Sequence, residues 1–171
     1  MTDVVVSDAG PLIALGASGL LPELGNLFRV IYIPPAVEQE VLCDLSRPGA
    51  PEINGALVNG LLTRKRTSDK QALKVLTELL DPGEAEALAL AGELGVAIIL
   101  DEKKGRRVAK KRGITPVGTG AILIKMKQKG IIKIVEPYLD LLRSNGYRLS
   151  PQLCQDILAL CGEDSSQTYG G

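Results

Sequence analysis

The sequence contains no histidine. Serine or cysteine triads that use imidazole, and metals held by His, are therefore excluded. Any acid–base or metal chemistry must rest on carboxylates, lysines or backbone groups. Asp8 follows the β-branched run Val4-Val5-Val6, and Asp101 follows Val96–Leu100, with Glu102 directly after it. In open parallel sheets, ligands bind outside the carboxyl ends of the strands. Either aspartate alone also reads as a turn or helix-cap residue. Together at neighbouring strand ends they would repel without a cation. Several carboxylates on one rim suit Mg2+ or Mn2+, hard ions that take oxygen ligands.

Further acids are candidates for that rim. Glu40 shares the Val37/Val41 seam of a helix predicted after Pro34-Pro35, whereas Glu38 points elsewhere, near Leu42. A solvated helix flank is the competing reading for both. Glu84 and Glu86 are two apart, about 200° around a helix, so they cannot both point at one site. Glu84 lies beneath Ala87, Leu88 and Ala91, and periodicity prefers it as the inward carboxylate. It also completes a capping box with Asp81.

The run Lys103-Lys104-Gly105-Arg106-Arg107-Val108-Ala109-Lys110-Lys111-Arg112 carries seven cations in ten positions. A charge run is ordinarily a solvated helix face. Seven charges of one sign repel each other, so a phosphate-bearing partner is inferred for Lys103, Lys104, Arg106, Arg107, Lys110 and Lys111. Arg64-Lys65-Arg66 adds to that field. The chain has five aromatic residues, Phe28, Tyr32, Tyr138, Tyr147 and Tyr169. Base-stacking platforms are thus scarce, and a nucleic acid would be held by its backbone more than its bases. No GxGxxG or GxxxxGK[ST] pattern supports a dinucleotide or P-loop site. Gly118-Thr119-Gly120 before a helix is compatible with a weak anion cradle.

The elements that must position these residues are short apolar strands alternating with helices. Strands are predicted at Val4–Val6, Val30–Ile33, Val96–Leu100 and Ile114–Val117, and a further one around Leu61–Thr63. Helices are predicted after Gly10-Pro11, over 20–28, 36–43, 81–95 (started by Asp81-Pro82), 103–112, 119–129, 136–145 and 151–161. Residues 46–55 read as a Pro- and Gly-rich loop, and 56–80 as mostly helical. The pattern implies an α/β fold with a mainly parallel sheet and helices on both faces. Residues 1–162 read as one domain, with 136–162 a C-terminal helical extension and 163–171 a polar tail.

The 171 residues, 45% hydrophobic and 23% charged, are globular values with enough chain for one core. The net charge of zero is asymmetric. Residues 1–102 hold 7 Lys+Arg against 15 Asp+Glu, and residues 103–171 hold 13 against 5. Asp3 and Asp8 interrupt the start of the chain, so no secretory leader is expected, and no apolar stretch nears the ~20 residues of a membrane span. Cys43, Cys154 and Cys161 read as reduced thiols of a cytoplasmic protein.

Five segments in order carry a family resemblance: VVVSDAGPLIAL, IPPAVEQEV, DPGEAEALALA, IILDEKKGRRVAKKRG and VGTGAILIKMKQKGII. On these, spanning roughly residues 3–132, the chain resembles the PIN domains. It is similar in particular to the bacterial and archaeal branch beside the toxin nucleases of type II toxin–antitoxin systems, which YRLSPQLCQDIL also resembles. The resemblance implies a three-layer α/β/α sandwich, an acidic cluster holding Mg2+ or Mn2+, and endonucleolytic cleavage of single-stranded RNA. Asp8 matches the acid after the first strand and Glu40 the acid of the following helix. Glu86, followed by Ala87, matches the acid preceding alanine in the third motif, and Glu84 belongs to the GEAEA form of this branch. Asp101 or Glu102 matches the acid after the next strand. Many relatives have two aspartates there, so the longer Glu102 is a departure. Toxin nucleases of this kind commonly form homodimers and bind a cognate antitoxin, and both are expected partners.

Two other classes compete. A non-catalytic module of the same fold would bind RNA or a partner without metal or turnover. A phosphoacceptor receiver wants paired acids after the first strand and a lysine at a late strand end. Ser7-Asp8 and Gly118-Thr119 supply neither.

Overall fold

The computed structural model describes residues 3–163. The chain forms two compact units, Met1–Gly118 and Thr119–Gly171. In order, the first unit contains β1 (Val4–Ser7), α1 (Ala9–Ala17), a 3-10 helix (Leu21–Asn26), β2 (Val30–Ile33) and α2 (Pro35–Leu42). It continues with α3 (Ala50–Val58), β3 (Leu62–Arg64), α4 (Lys70–Leu79), α5 (Pro82–Leu94), β4 (Ala97–Ile99), α6 (Lys103–Lys111) and β5 (Pro116–Val117). The five strands form one sheet in the order β3-β2-β1-β4-β5, with every neighbouring pair parallel. This is the expected three-layer α/β/α sandwich.

The order follows from the chain's path. From β1 it moves outward to β2 and β3, then returns to the other side of β1 for β4 and β5. Crossovers of one hand therefore place helices on both faces and open a crevice beyond the carboxyl ends of the paired strands β1 and β4, where the connections leaving them part. Val5 and Val6 of β1, and Ile98, Ile99 and Leu100 at β4, are fully buried. That burial on both faces is why these strands are continuous apolar runs without alternation.

α5 is bounded as its sequence dictates. Asp81 accepts a hydrogen bond from the Glu84 N–H at 2.9 Å, Pro82 fills the first turn, and Gly95 ends the helix in the left-handed region at φ 67°. One expectation is corrected. The 46–55 loop gives way to α3 at Ala50, because Gly49 takes φ 89° at the N-cap and Pro51 falls in the first turn. The Pro and Gly that suggest a loop start a helix instead. Within 56–80, α3 ends at Val58, the strand expected around Leu61–Thr63 is β3, and α4 begins at Lys70.

The second unit contains α7 (Thr119–Gln128), α8 (Glu136–Ser144) and α9 (Pro151–Leu160). A Cβ at Gly120 would fall 2.7 Å from Ile157 Cδ1, so this glycine lets α7 and α9 pack. Both carboxylate oxygens of Glu163 accept from the Val135 N–H at 2.9 Å, and Lys127 stands 3.4 Å away. Residues 164–171 of the predicted polar tail lie outside the described residues. Among the described residues, no helix is long and apolar enough to cross a membrane. Cys43, Cys154 and Cys161 are free thiols.

α1 and α3 meet through glycine. A Cβ at Gly49 would lie 2.7 Å from the Ile13 carbonyl oxygen, while the backbone there already demands positive φ. Gly49→Ala is expected to lower unfolding free energy by about 2–4 kcal/mol, from the clash and the left-handed strain together. Urea denaturation against wild type checks this, and a loss within error of zero would show that α3 can shift freely.

Candidate active site at the carboxyl rim of the sheet

The site begins with the backbone of Asp8. Its N–H donates to the Ile99 carbonyl at 3.0 Å, which locks the first residue beyond β1 to β4. Asp8 occupies the N-cap of α1 in extended backbone, but its side chain makes no capping hydrogen bond. The carboxylate is thereby left to the crevice, and the residue is only 7% exposed. Burial is the main cause that pushes Asp8 up to about 7, and the charges of Glu84, Glu40 and Asp81 add to it. The Ala9 backbone N–H pulls the other way.

Glu84, equally buried, is also raised to about 7. Removal from water is its largest cause, followed by the charge of Asp81 and a side-chain hydrogen bond with it, with Glu102 contributing further. Glu40 is raised by desolvation and by Asp81, while Arg47 opposes. A Cβ at Gly83 would fall 3.0 Å from Glu40 Oε2 and 3.7 Å from Asp8 Oδ1. The carboxylates of Glu40 on α2 and of Asp8 at the exit of β1 therefore converge on the bare backbone of α5. At Gly105 on α6, a Cβ would meet Glu84 Oε1 at 3.3 Å and Leu100 Cδ2 at 3.0 Å. Glu78, Leu79, Leu80, Asp81, Glu84, Glu102 and Lys104 line an open cleft of about 480 Å3 beside this cluster.

The structure thus brings together Asp8, Glu40 and Glu84, with Glu102 acting on Glu84. It gives Glu86 a different neighbour: the Ala36 N–H at the start of α2 donates to Glu86 Oε1 at 3.4 Å. Asp101 stands half-buried beside Gly118, whose Cβ would lie 3.1 Å from Asp101 Oδ1 and 3.3 Å from Arg106 Nη1. On α6, Lys103, Lys104, Arg107, Lys110 and Lys111 are exposed, and Gly105 and Ala109 face inward. Arg106 is half-buried and donates from Nη1 to the Leu100 carbonyl at 2.8 Å.

Sequence reasoning missed Asp81 as a member of the acidic group, because its role as helix cap already accounted for it. A cap at the carboxyl rim of the sheet was the available signal. Gly83 and Gly105 were also missed, and Gly118 was read only as part of a weak anion cradle; each marks a point where backbone approaches a carboxylate. Another hollow, of about 400 Å3, is lined by Gly92, Gly95, Val96, Gly113 and Ile114 among others, at the amino ends of β4 and β5. No acidic residue lines it.

The family model of the PIN domain matches residues 4–163, which takes in both units. Comparison with curated proteins gave no match.

Asp8 also sets a pH dependence. Its folded pKa exceeds its value in water, so the stability it contributes is fully present below about 4 and is lost as pH rises through about 7. In chelator, Asp8→Asn is expected to gain roughly 1–3 kcal/mol over wild type at pH 7.5, shrinking towards zero at pH 4. Paired urea titrations at the two pH values read this difference. An equal gain at both would mean that the Asp8 carboxylate is not held in the dry crevice.

Proposed function

The chain belongs to the PIN-domain family, a nuclease-type fold, and from that premise we propose that it is a Mg2+- or Mn2+-dependent endoribonuclease acting on single-stranded RNA, of the toxin type. The observation that carries this reading is the acidic group at the strand switch point, with Asp8 and Glu84 buried and Glu40 and Asp81 at its exposed edge, flanked by the cationic face of α6. Homodimerisation and a cognate antitoxin belong to the same proposal and rest on the family alone.

The donor set suits a hard divalent ion by its chemistry. Every donor is a carboxylate oxygen, and the burial and mutual repulsion that raise Asp8 and Glu84 are the costs a cation offsets. Asp8, Glu40 and Glu84 would hold the ion, joined by Asp101 or Glu102. Such an ion supplies an ionised water at neutral pH and neutralises charge on the attacked phosphate. Asp81, through its effect on Glu84, would keep that carboxylate turned into the site. Glu86 would fix the amino end of α2 and hence the course of the helix that bears Glu40. Lys103, Lys104, Arg107, Lys110 and Lys111 would bind the flanking phosphates, and the shortage of aromatics leaves the bases weakly read.

One observation favours a second reading, a non-catalytic RNA- or partner-binding module. Among the described residues, no group of three or more His, Cys, Asp or Glu side chains is set to hold a metal ion. That module would bind RNA equally well in chelator and show no turnover.

Thermal melting and cleavage of a mixed single-stranded RNA pool, with and without millimolar MnCl2, separate the two. Wild type is expected to melt higher and cleave in Mn2+, and Asp8→Asn to lose both responses while keeping its far-UV spectrum. RNA binding with neither metal response in wild type would establish the module instead.

A further inference from the structure

Resting on the metal-nuclease reading, we propose that Arg106 is a positioning residue for Asp101 and not a phosphate contact, although it lies within the cationic run of α6. Three observations carry this. First, Leu100 is fully buried, and its N–H already pairs with the Val117 carbonyl at 2.9 Å. The chain leaves the sheet at this point, so the Leu100 carbonyl has to find a donor elsewhere, and a buried carbonyl without one is costly. Arg106 Nη1 supplies it at 2.8 Å, reaching back from α6.

Second, the same nitrogen lies 3.3 Å from the point a Gly118 Cβ would occupy, and Asp101 Oδ1 lies 3.1 Å from that point. Guanidinium and carboxylate thus converge on the bare α-carbon that follows β5. Gly118 is not in the left-handed region, so what it provides there is space. Third, Arg106 is half-buried, whereas Lys103, Lys104, Arg107, Lys110 and Lys111 are exposed.

The chemistry selects arginine. A planar fork of five donors can hold the Leu100 carbonyl with one N–H and present others alongside Asp101, and a lysine ammonium at the end of a flexible stem does not reproduce that geometry. Arg106 fixes the turn from β4 into α6, and with it the position of Asp101 at the strand exit. Gly118 keeps the opposite side of that turn clear.

The test compares wild type with Arg106→Gln, Arg106→Lys, Gly118→Ala and Lys103→Gln, using cleavage, Mn2+ affinity from calorimetry, and RNA affinity in chelator as a function of salt. A lost phosphate contact lowers the slope of log K against log salt by about 1. Lys103→Gln is expected to show that loss. Arg106→Gln is expected to keep the wild-type slope while kcat and Mn2+ affinity fall roughly 10–100-fold, as for other residues that orient a ligand. Arg106→Lys should fail to restore them, and Gly118→Ala, with Arg106 intact, should reproduce the loss. If Arg106→Gln instead lowers the slope like Lys103→Gln and keeps kcat and Mn2+ affinity, Arg106 is a phosphate contact and the proposal fails alone. Should Arg106→Gln unfold, Arg106→Lys and Gly118→Ala decide by the same readouts. A wild type without Mn2+ binding or cleavage removes the nuclease reading, and this inference with it.

Discussion

Asp8 and Glu84 repel one another from positions that their backbones hold fast. The Asp8 N–H is bonded to Ile99 across the junction of β1 and β4, and the Glu84 N–H to the Asp81 side chain at the start of α5. Both carboxyl groups would titrate near 4 in water, and the crevice lifts them to about 7. A repulsion of this kind persists only where surrounding packing over-determines the geometry. Here that packing is the fully buried apolar run of β1 and β4 together with the apolar length of α5, from Ala85 through Ala91.

The rim is built as much from missing atoms as from charges. Three elements approach it, α5, α6 and the end of β5, and each does so at a glycine: Gly83 against Glu40 and Asp8, Gly105 against Glu84, Gly118 against Asp101 and Arg106. A methyl group at any of these points would press at 3.0–3.3 Å on a carboxylate or guanidinium, which would have to give way. The basic helix is consequently two-sided in function. Its lysines and Arg107 face water, while Gly105, Arg106 and Ala109 bind it to the acidic end of the sheet.

Much of this was legible in the sequence. The β-branched run before Asp8 and the apolar run before Asp101 identify the two strands, and the position of those acids at strand exits identifies the rim. Periodicity prefers Glu84 over Glu86 as the inward carboxylate, since Glu84 shares a stripe with Ala87, Leu88 and Ala91, and in the structure Glu84 is buried and Glu86 half-buried. What did not show were the second roles of Asp81, Gly49, Pro51 and Arg106. Asp81 reads as a cap and is one, yet its charge also reaches Asp8, Glu40 and Glu84. Pro51 and Gly49 read as loop residues but start α3. Arg106 cannot be told from its neighbours in a charge run, because composition carries no direction; the inward turn of one guanidinium depends on a carbonyl that only the ended strand leaves unpaired.

The strand order also governs when the rim can exist. β1 is the central strand and is made first, yet its register pairs Val5 with Ile31 on one side and with Ala97 on the other. During synthesis it gains one neighbour early and waits for the second until most of the first unit has emerged. Long-range parallel pairing of this kind forms slowly, after the intervening loop has been closed. The bond from Asp8 to Ile99 is among the last that link the sheet, so the acidic crevice assembles only after β4 docks. A ribosome-bound fragment shorter than that carries Asp8 as an ordinary solvated carboxylate. The first strand of the chain thus emerges long before the partner that completes its carboxyl rim.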